Sequence, residues 1–306
     1  MKEKEFIKII TETLQSSFIG DDCALLEDLG ITVTQDSLVE DVHFSLKFAT
    51  PYQIGYKSVM VNISDICASG AVPKYLTIAL SLPDNIDESF IKEFYRGAKA
   101  ASGEAKIVGG DITGADKIYI SVTAIGCTKE RKISSRKNAK IGQKIVISGE
   151  HGSSGMGLSI LCKNNYTEFS EEERKSFITA HLMPEAQIEF SKKISTSQTS
   201  DYAMMDTSDG LADALFAIAE AGNVMLDVDF ERIPHKKCLE KINDYNKVIL
   251  YGGEDYGLIA TVDNADGLTV IGKVKSGQGV RINYKDFSEF LTKQDIENNT
   301  YNHFKE

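Results

Sequence analysis

The segment PYQIGYKSVMVNISDICASG (51–70) constrains this chain more than any other. Its spacing predicts a helix over 52–70, on which Val59, Met60, Val61, Ile63, Ile66, Cys67 and Ala68 are apolar nearly all round. Such a helix must be covered on several sides, which calls for a layered fold. Yet Ser58, Asn62, Asp65 and Ser69, at spacings of four, three and four, form one polar stripe along it. A buried carboxylate without compensation is costly and would rather protonate. Asp65 therefore needs either a basic partner or a bound metal ion.

Aspartates beside Gly, Ser or Thr recur along the chain. They stand in GDDCALL (20–26), TQDSLVEDVHF (34–44), NISDICASG (62–70), GGDITG (109–114), DTSDGLAD (206–213) and GGEDYG (252–257). Any one of these has a local explanation, because Asp and Ser cap helices and Gly pairs make turns. DTSDGLAD reads as a strand end turning into a capped helix, LADALFAIAEAG. So many acidic turns in one chain need a shared cause. The Walker pattern is absent, and GSSGMG (152–157) lacks the GxGxxG dinucleotide spacing. A phosphate site would then be built from carboxylates holding Mg²⁺, a hard cation that suits many Asp and few His or Cys. His43 could instead satisfy a turn, and Arg136 could lie in a solvated linker.

The 306 residues, 42% hydrophobic and 26% charged, suffice for two ordinary α/β domains. A net charge of −11 disfavours nucleic acid and anionic membrane as partners. Asp65 and Lys74 interrupt the longest apolar candidate, 59–82, so no membrane helix is expected. Five scattered cysteines without a CxxC pair fit a reducing cytoplasm. Helices are expected at 2–15, 52–70, 87–103, 170–180 and 184–195, the last with Pro184 in its first turn. Strands are expected at 31–36, 76–83, 117–127, 144–149, 203–206, 224–234 and 268–274. KIVGGD (106–111) reads as a short strand and turn, and 248–263 as a Gly-rich turn and strand. The turn at 150–158 opens a further helix, and 285–306 is weakly patterned. The basic run 128–143 is the expected linker, dividing the chain into domains 1–140 and 141–306.

In this order the motifs, together with ISGEHGSSGMGL (147–158), resemble the thiamine-monophosphate kinase family over about residues 18–262. That family belongs to the superfamily of aminoimidazole ribonucleotide synthetase and selenophosphate synthetase. The resemblance implies a two-domain synthetase-like fold of α/β (α+β) type, with N-terminal sheets pairing in a homodimer. The implied reaction is ATP + thiamine monophosphate → ADP + thiamine diphosphate, by direct in-line transfer. The acceptor phosphate is already anionic, so no general base is needed. Motif by motif, it implies Mg²⁺ ligands at Asp22, Thr34, Gln35, Asp36, Asp65, Asp111, Asp206 and Asp209. ATP contacts fall at Gly110, Asp111, Arg136 and Ser208, and substrate contacts at His43, Glu254 and Tyr301. Gln35 departs from the family pattern, as do Ser153-Ser154, Glu185-Ala186 and Gly257. A sister ATP-dependent synthetase and a non-catalytic nucleotide-binding homologue remain as alternatives. A selenophosphate synthetase would need a reactive Cys in its N-terminal segment, and residues 1–20 have none.

Overall fold

A computed structural model describes residues 3–163 and 166–300. The first half runs α1 (Glu3–Leu14), β1 (Ala24–Leu26), β2 (Ile31–Val39), α2 (Pro51–Ser69), β3 (Val72–Leu82), α3 (Glu88–Ser102), β4 (Lys106–Gly114) and β5 (Tyr119–Cys127). Its strands form one sheet in the order β1-β2-β5-β3-β4, in which β3 and β4 alone are parallel. The second half runs β6 (Lys144–Ile147), α4 (Ser153–Lys163), α5 (Glu171–Leu182), α6 (Ile188–Ser197), β7 (Ala203–Asp206) and α7 (Leu211–Gly222). It continues through β8 (Met225–Asp229), α8 (Tyr245–Tyr251), β9 (Leu258–Val262), β10 (Thr269–Lys275), β11 (Gly279–Asn283), β12 (Ser288–Leu291) and α9 (Lys293–Asn299). These strands make a second sheet, β12-β11-β8-β10-β6-β9-β7. The architecture is thus mixed α/β with two sheets.

Local chemistry explains where α2 starts and stops. Thr50 and Gln53 form a reciprocal capping box, Pro51 occupies the first turn, and Gly70 at φ 84° ends the helix. One face of α2 covers β2, β3 and β5, where Ile120, Val122 and Ala124 alternate inward. Its other faces meet α3, β7, α5 and α6, so it is buried on all sides. One apolar core runs through this contact, from Ile63 and Ile66 to Tyr202, Met204 and Leu258 of the second half. A second core fills the far face of the larger sheet around Leu215, Leu226 and Phe230.

Several expectations are corrected. GGDITG is strand throughout, within β4, not a turn. Gly110 there lies against Ile78, where a Cβ would overlap the Ile78 backbone, so the glycine marks close approach between strands. The helix expected from 184 begins at Ile188, leaving Pro184 in the link after α5. Residues 245–251 form α8 ahead of the Gly-rich turn. The weakly patterned tail holds β12 and α9, the latter started by a Thr292–Asp295 capping box. The expected linker, 128–143, joins the two sheets and runs against the body, where Ser134 donates through its N–H to Ser69 O and through Oγ to Ala68 O.

Helices α2 and α3 touch through backbone at Gly55 and Gly97, where an added Cβ would overlap Phe94 O and Tyr52 O respectively. Gly97→Ala should therefore lower the unfolding free energy in urea by at least about 2 kcal/mol. Gly109→Ala, with open space around it, should change it by less than about 0.5 kcal/mol. Equal effects of the two substitutions would contradict the close packing.

Candidate functional site

Strand alternation puts Thr34 and Asp36 of β2 on the face toward α2. Thr34 Oγ1 donates to Asp65 Oδ2 at 2.6 Å, and the Asp36 N–H donates to Asn62 Oδ1 at 2.9 Å. Gln35 points the other way and accepts from Thr123 Oγ1 at 3.0 Å. Its side chain is turned from the cluster, leaving only its backbone toward that face. On α2, Ser58 and Asn62 are tied together, because Asn62 Nδ2 donates to Ser58 O at 3.0 Å. The Asp65 stripe thus faces hydroxyl and amide groups.

The end of β7 delivers Asp206 to the same place. Ser64 Oγ donates to Asp206 Oδ2 at 2.6 Å, and Ser208 Oγ to Asp206 Oδ1 at 2.9 Å. The helix that follows is not capped by a side chain. Its N-cap is Gly210 at φ 107°, without a side-chain hydrogen bond. Ser208 is spent on Asp206 instead, so the local-cap explanation of DTSDG loses its main residue. From the loop before β1 comes Asp22, whose Oδ1 lies 2.9 Å from Arg136 Nη2. Asp21 beside it accepts from Ser135 Oγ and from the Arg136 N–H, both at 2.7 Å.

Asp22, Asp65 and Asp206 each present a carboxylate oxygen within 4.8 Å of the others. Asp206 is buried and the other two are half-buried. Burial, only partly offset by Arg136, and the charge of Asp206 push the Asp22 carboxyl up to about 6. Burial and the charges of Asp36, Asp206 and Asp22 hold Asp65 well above the usual carboxylate range. Burial also raises Asp206, against the hydrogen bonds from Ser64 and Ser208. Three oxygens of one sign, drawn from both halves of the chain, form a group that could hold a hard cation. A cleft of about 640 Å³ bordered by Phe18, Asp21, Asp22, Ser69, Ser134 and Asn138 opens onto it.

Other expected residues lie apart. Asp111 is exposed on β4. The register row Asp36–Val122–Ile78–Gly110 places it three strands away, about 14 Å. Asp209 is exposed at the turn before α7, outside the three-carboxylate cluster. Tyr301 is outside the described residues. His43 and Glu254 form a second group. His43 Nδ1 accepts from the Val39 N–H at 3.0 Å, and the charge of His43 acts on Glu254. Burial opposes ionisation of Glu254, but Lys57 and His181 prevail and hold its carboxyl below the usual range.

The motifs assign no role to Lys57, Ser64, His181 or Asp255. Lys57 had a signal, being the sole cation among the residues of α2. Asp255 stands in the acidic GGEDYG turn, whereas His181 has no local signal, because only the fold joins α5, α4 and that turn. Asp255 accepts from the N–H groups of Gly152 and Ser154, capping α4 from a distance, and burial pushes its carboxyl up to about 7. The departure at Gly257 has a steric reason. A Cβ there would stand 2.7 Å from His151 Cε1 and from Ser148 O.

Residues 20–128 match the family described as AIR synthase related protein, N-terminal domain. The chain is 35% identical to the thiamine-monophosphate kinase of Bacillus subtilis (strain 168), across 94% of this chain and 93% of that protein. A solved structure of AaThiL complexed with AMPPCP and TMP superposes with a TM-score of 0.85 at 32% identity, covering 99% of this chain and 97% of that one. The crystal structure of thiamine monophosphate kinase from Aquifex aeolicus gives 0.80 at 33% identity, covering 92% and 98%.

Two outcomes follow from the electrostatics. Removing one of three repelling carboxylates, Asp65→Asn should stabilise the chelator-treated protein at pH 7.5 by about 1–2 kcal/mol in urea unfolding. Destabilisation would argue against uncompensated repulsion. His151 is fully buried, and burial, against a 3.2 Å contact with Ser148 O, lowers its ring to about 4. The unfolded chain then takes up a proton that the folded chain refuses. Stability is complete above pH 6.5 and falls toward pH 4. Relative to His151→Gln, the native chain should lose up to about 1.4 kcal/mol more per pH unit in that window. Parallel stability curves for the two would contradict the buried neutral ring.

Proposed function

Because the chain belongs to the thiamine-monophosphate kinase family, we propose that its three-carboxylate cluster is the Mg²⁺ seat on which ATP phosphorylates thiamine monophosphate to thiamine diphosphate. The observation that carries this reading is the convergence of Asp22, Asp65 and Asp206 from separate segments. The donor set fits the ion, since it is all oxygen, anionic and self-repelling, with hydroxyls of Thr34, Ser64 and Ser208 beside it. Asp22, Thr34, Asp36, Asp65 and Asp206 would hold Mg²⁺, with Gln35 serving through its backbone and Asp111 and Asp209 serving on the nucleotide side. Bound there, Mg²⁺ supplies neutralisation of charge on the transferring phosphoryl group.

The chain's own residues supply position. Arg136 is already fixed by Asp22 and stands ready for ATP phosphates, with Ser208 and Gly110 as further nucleotide contacts. His43 and Glu254 take the substrate, and Tyr301 is assigned to it as well. The accepting phosphate oxygen is anionic, so no residue has to remove a proton. Transfer is then direct and in line, governed by alignment and charge.

Residues 1–140 and 141–306 serve as two domains, the five-stranded sheet lying within the first and the seven-stranded sheet within the second. The first pairs with a second copy. Its outer strand β4 shows Val108 and Ile112 to solvent, and Tyr75 and Tyr119 are exposed nearby. No helix among the described residues is long and apolar enough to cross a membrane. We assign the cytoplasm as its location, in line with scattered free thiols.

ADP release from ATP and Mg²⁺ should depend on added thiamine monophosphate. Asp65→Asn and Asp209→Asn should each cut turnover at least about 100-fold at saturating Mg²⁺, with unchanged circular dichroism. Unstimulated ADP release would reject the reaction, and near-normal turnover of both variants would reject the metal seat.

A further inference from the structure

Glu254 is gripped from both halves of the chain. Its Oε1 lies 2.9 Å from Lys57 Nζ on α2, and its Oε2 lies 3.2 Å from His181 Nδ1 on α5. The Glu254 side chain keeps 26% of its surface exposed, whereas those of Lys57 and His181 keep only 4% each. The Lys57 contact is an ion pair without the alignment of a hydrogen bond. A buried ammonium of this kind adds little to stability. A methionine would fill the same space without the cost of desolvation. Its presence on an otherwise apolar helix therefore points to what its charge does for Glu254.

The backbone of Glu254 is equally constrained. The residue sits at φ 64°, in the left-handed region, after two glycines. Its N–H donates to Ser208 O at 2.7 Å, and a Cβ on Gly253 would stand 2.9 Å from that same oxygen. Ser208 in turn donates to Asp206, and Asp206 accepts from Ser64, which returns the chain of contacts to α2. Lys57 and Ser64 stand two helical turns apart on one rigid element. The circuit Lys57–Glu254–Ser208–Asp206–Ser64 is closed.

We propose that Lys57 is a positioning residue, which aims the Glu254 carboxylate at the cationic ring system of thiamine monophosphate. This rests on the assignment of Glu254 to the substrate. Lys57 acts only through Glu254, holding one side of the carboxylate while the exposed side meets the ligand. His181 holds the second oxygen, and Ser154 Oγ lies 3.1 Å from the same His181 nitrogen.

The test is a double-mutant cycle on the full-length enzyme with Mg²⁺, using Lys57→Met, Glu254→Gln and the pair. The KM for thiamine monophosphate should rise roughly tenfold or more in each single variant. The KM for ATP and kcat should change less than about threefold, with thermal melting no lower than in the native chain. The pair should show no further rise over Glu254→Gln alone. A raised KM in Glu254→Gln beside a native KM in Lys57→Met would overturn the positioning role alone. Additive effects, or a joint loss of kcat and both affinities with a lowered melting temperature, would overturn it as well. A native KM in Glu254→Gln would remove the substrate assignment of Glu254, and the inference with it.

Discussion

Mutual repulsion among Asp22, Asp65 and Asp206 is the constraint to which the surrounding fold responds. Three carboxylate oxygens within 4.8 Å are held by Thr34, Ser64 and Ser208 hydroxyls and by one guanidinium, that of Arg136. Neutral donors can orient a carboxylate, but one cation among the described residues leaves the group with surplus negative charge. The result is a cluster whose repulsion a bound cation would relieve, held together at the expense of local stability. Such preorganisation is useful where catalysis consists of placing charged groups and neutralising them.

Helix α2 makes this arrangement rigid. It is enclosed by the five-stranded sheet on one side and by β7, α5 and α6 on the other, and it meets α3 through backbone contact at Gly55 and Gly97. Asp65 and Lys57 both project from it, one into the carboxylate cluster and the other onto Glu254. One residue of the proposed metal seat and the partner of the proposed substrate contact are thus mounted on a single rigid element. In-line phosphoryl transfer needs that fixed separation more than it needs an acid or a base.

Much of the fold was legible because periodicity survives in long elements. The helix at 52–70 and the strand at 117–127 appear within a few residues of where apolar spacing placed them. Errors arose where glycines or polar edges carried structure. GGDITG looked like a turn because two glycines adjoin, yet Gly110 is there to let β4 approach Ile78. β12 and α9 are short and largely exposed, so no apolar rhythm announced them. In the site, Asp22, Asp65 and Asp206 were legible as acids at element ends, whereas Asp111 and Asp209 lie outside their cluster.

By itself the sequence determined that a nearly all-apolar helix with one acidic stripe must be buried, and that acid-rich turns stand where strands meet helices. It also determined the family, since those motifs occur in a specific order. Only the tertiary structure decided which acids meet. Residues 22, 65 and 206 are far apart in the chain, and their distance depends on how two sheets close around α2. The same closure put Lys57, His181 and Ser208 around Glu254. Local spacing cannot encode that convergence, because it arises from packing between elements and not from the period of any one of them.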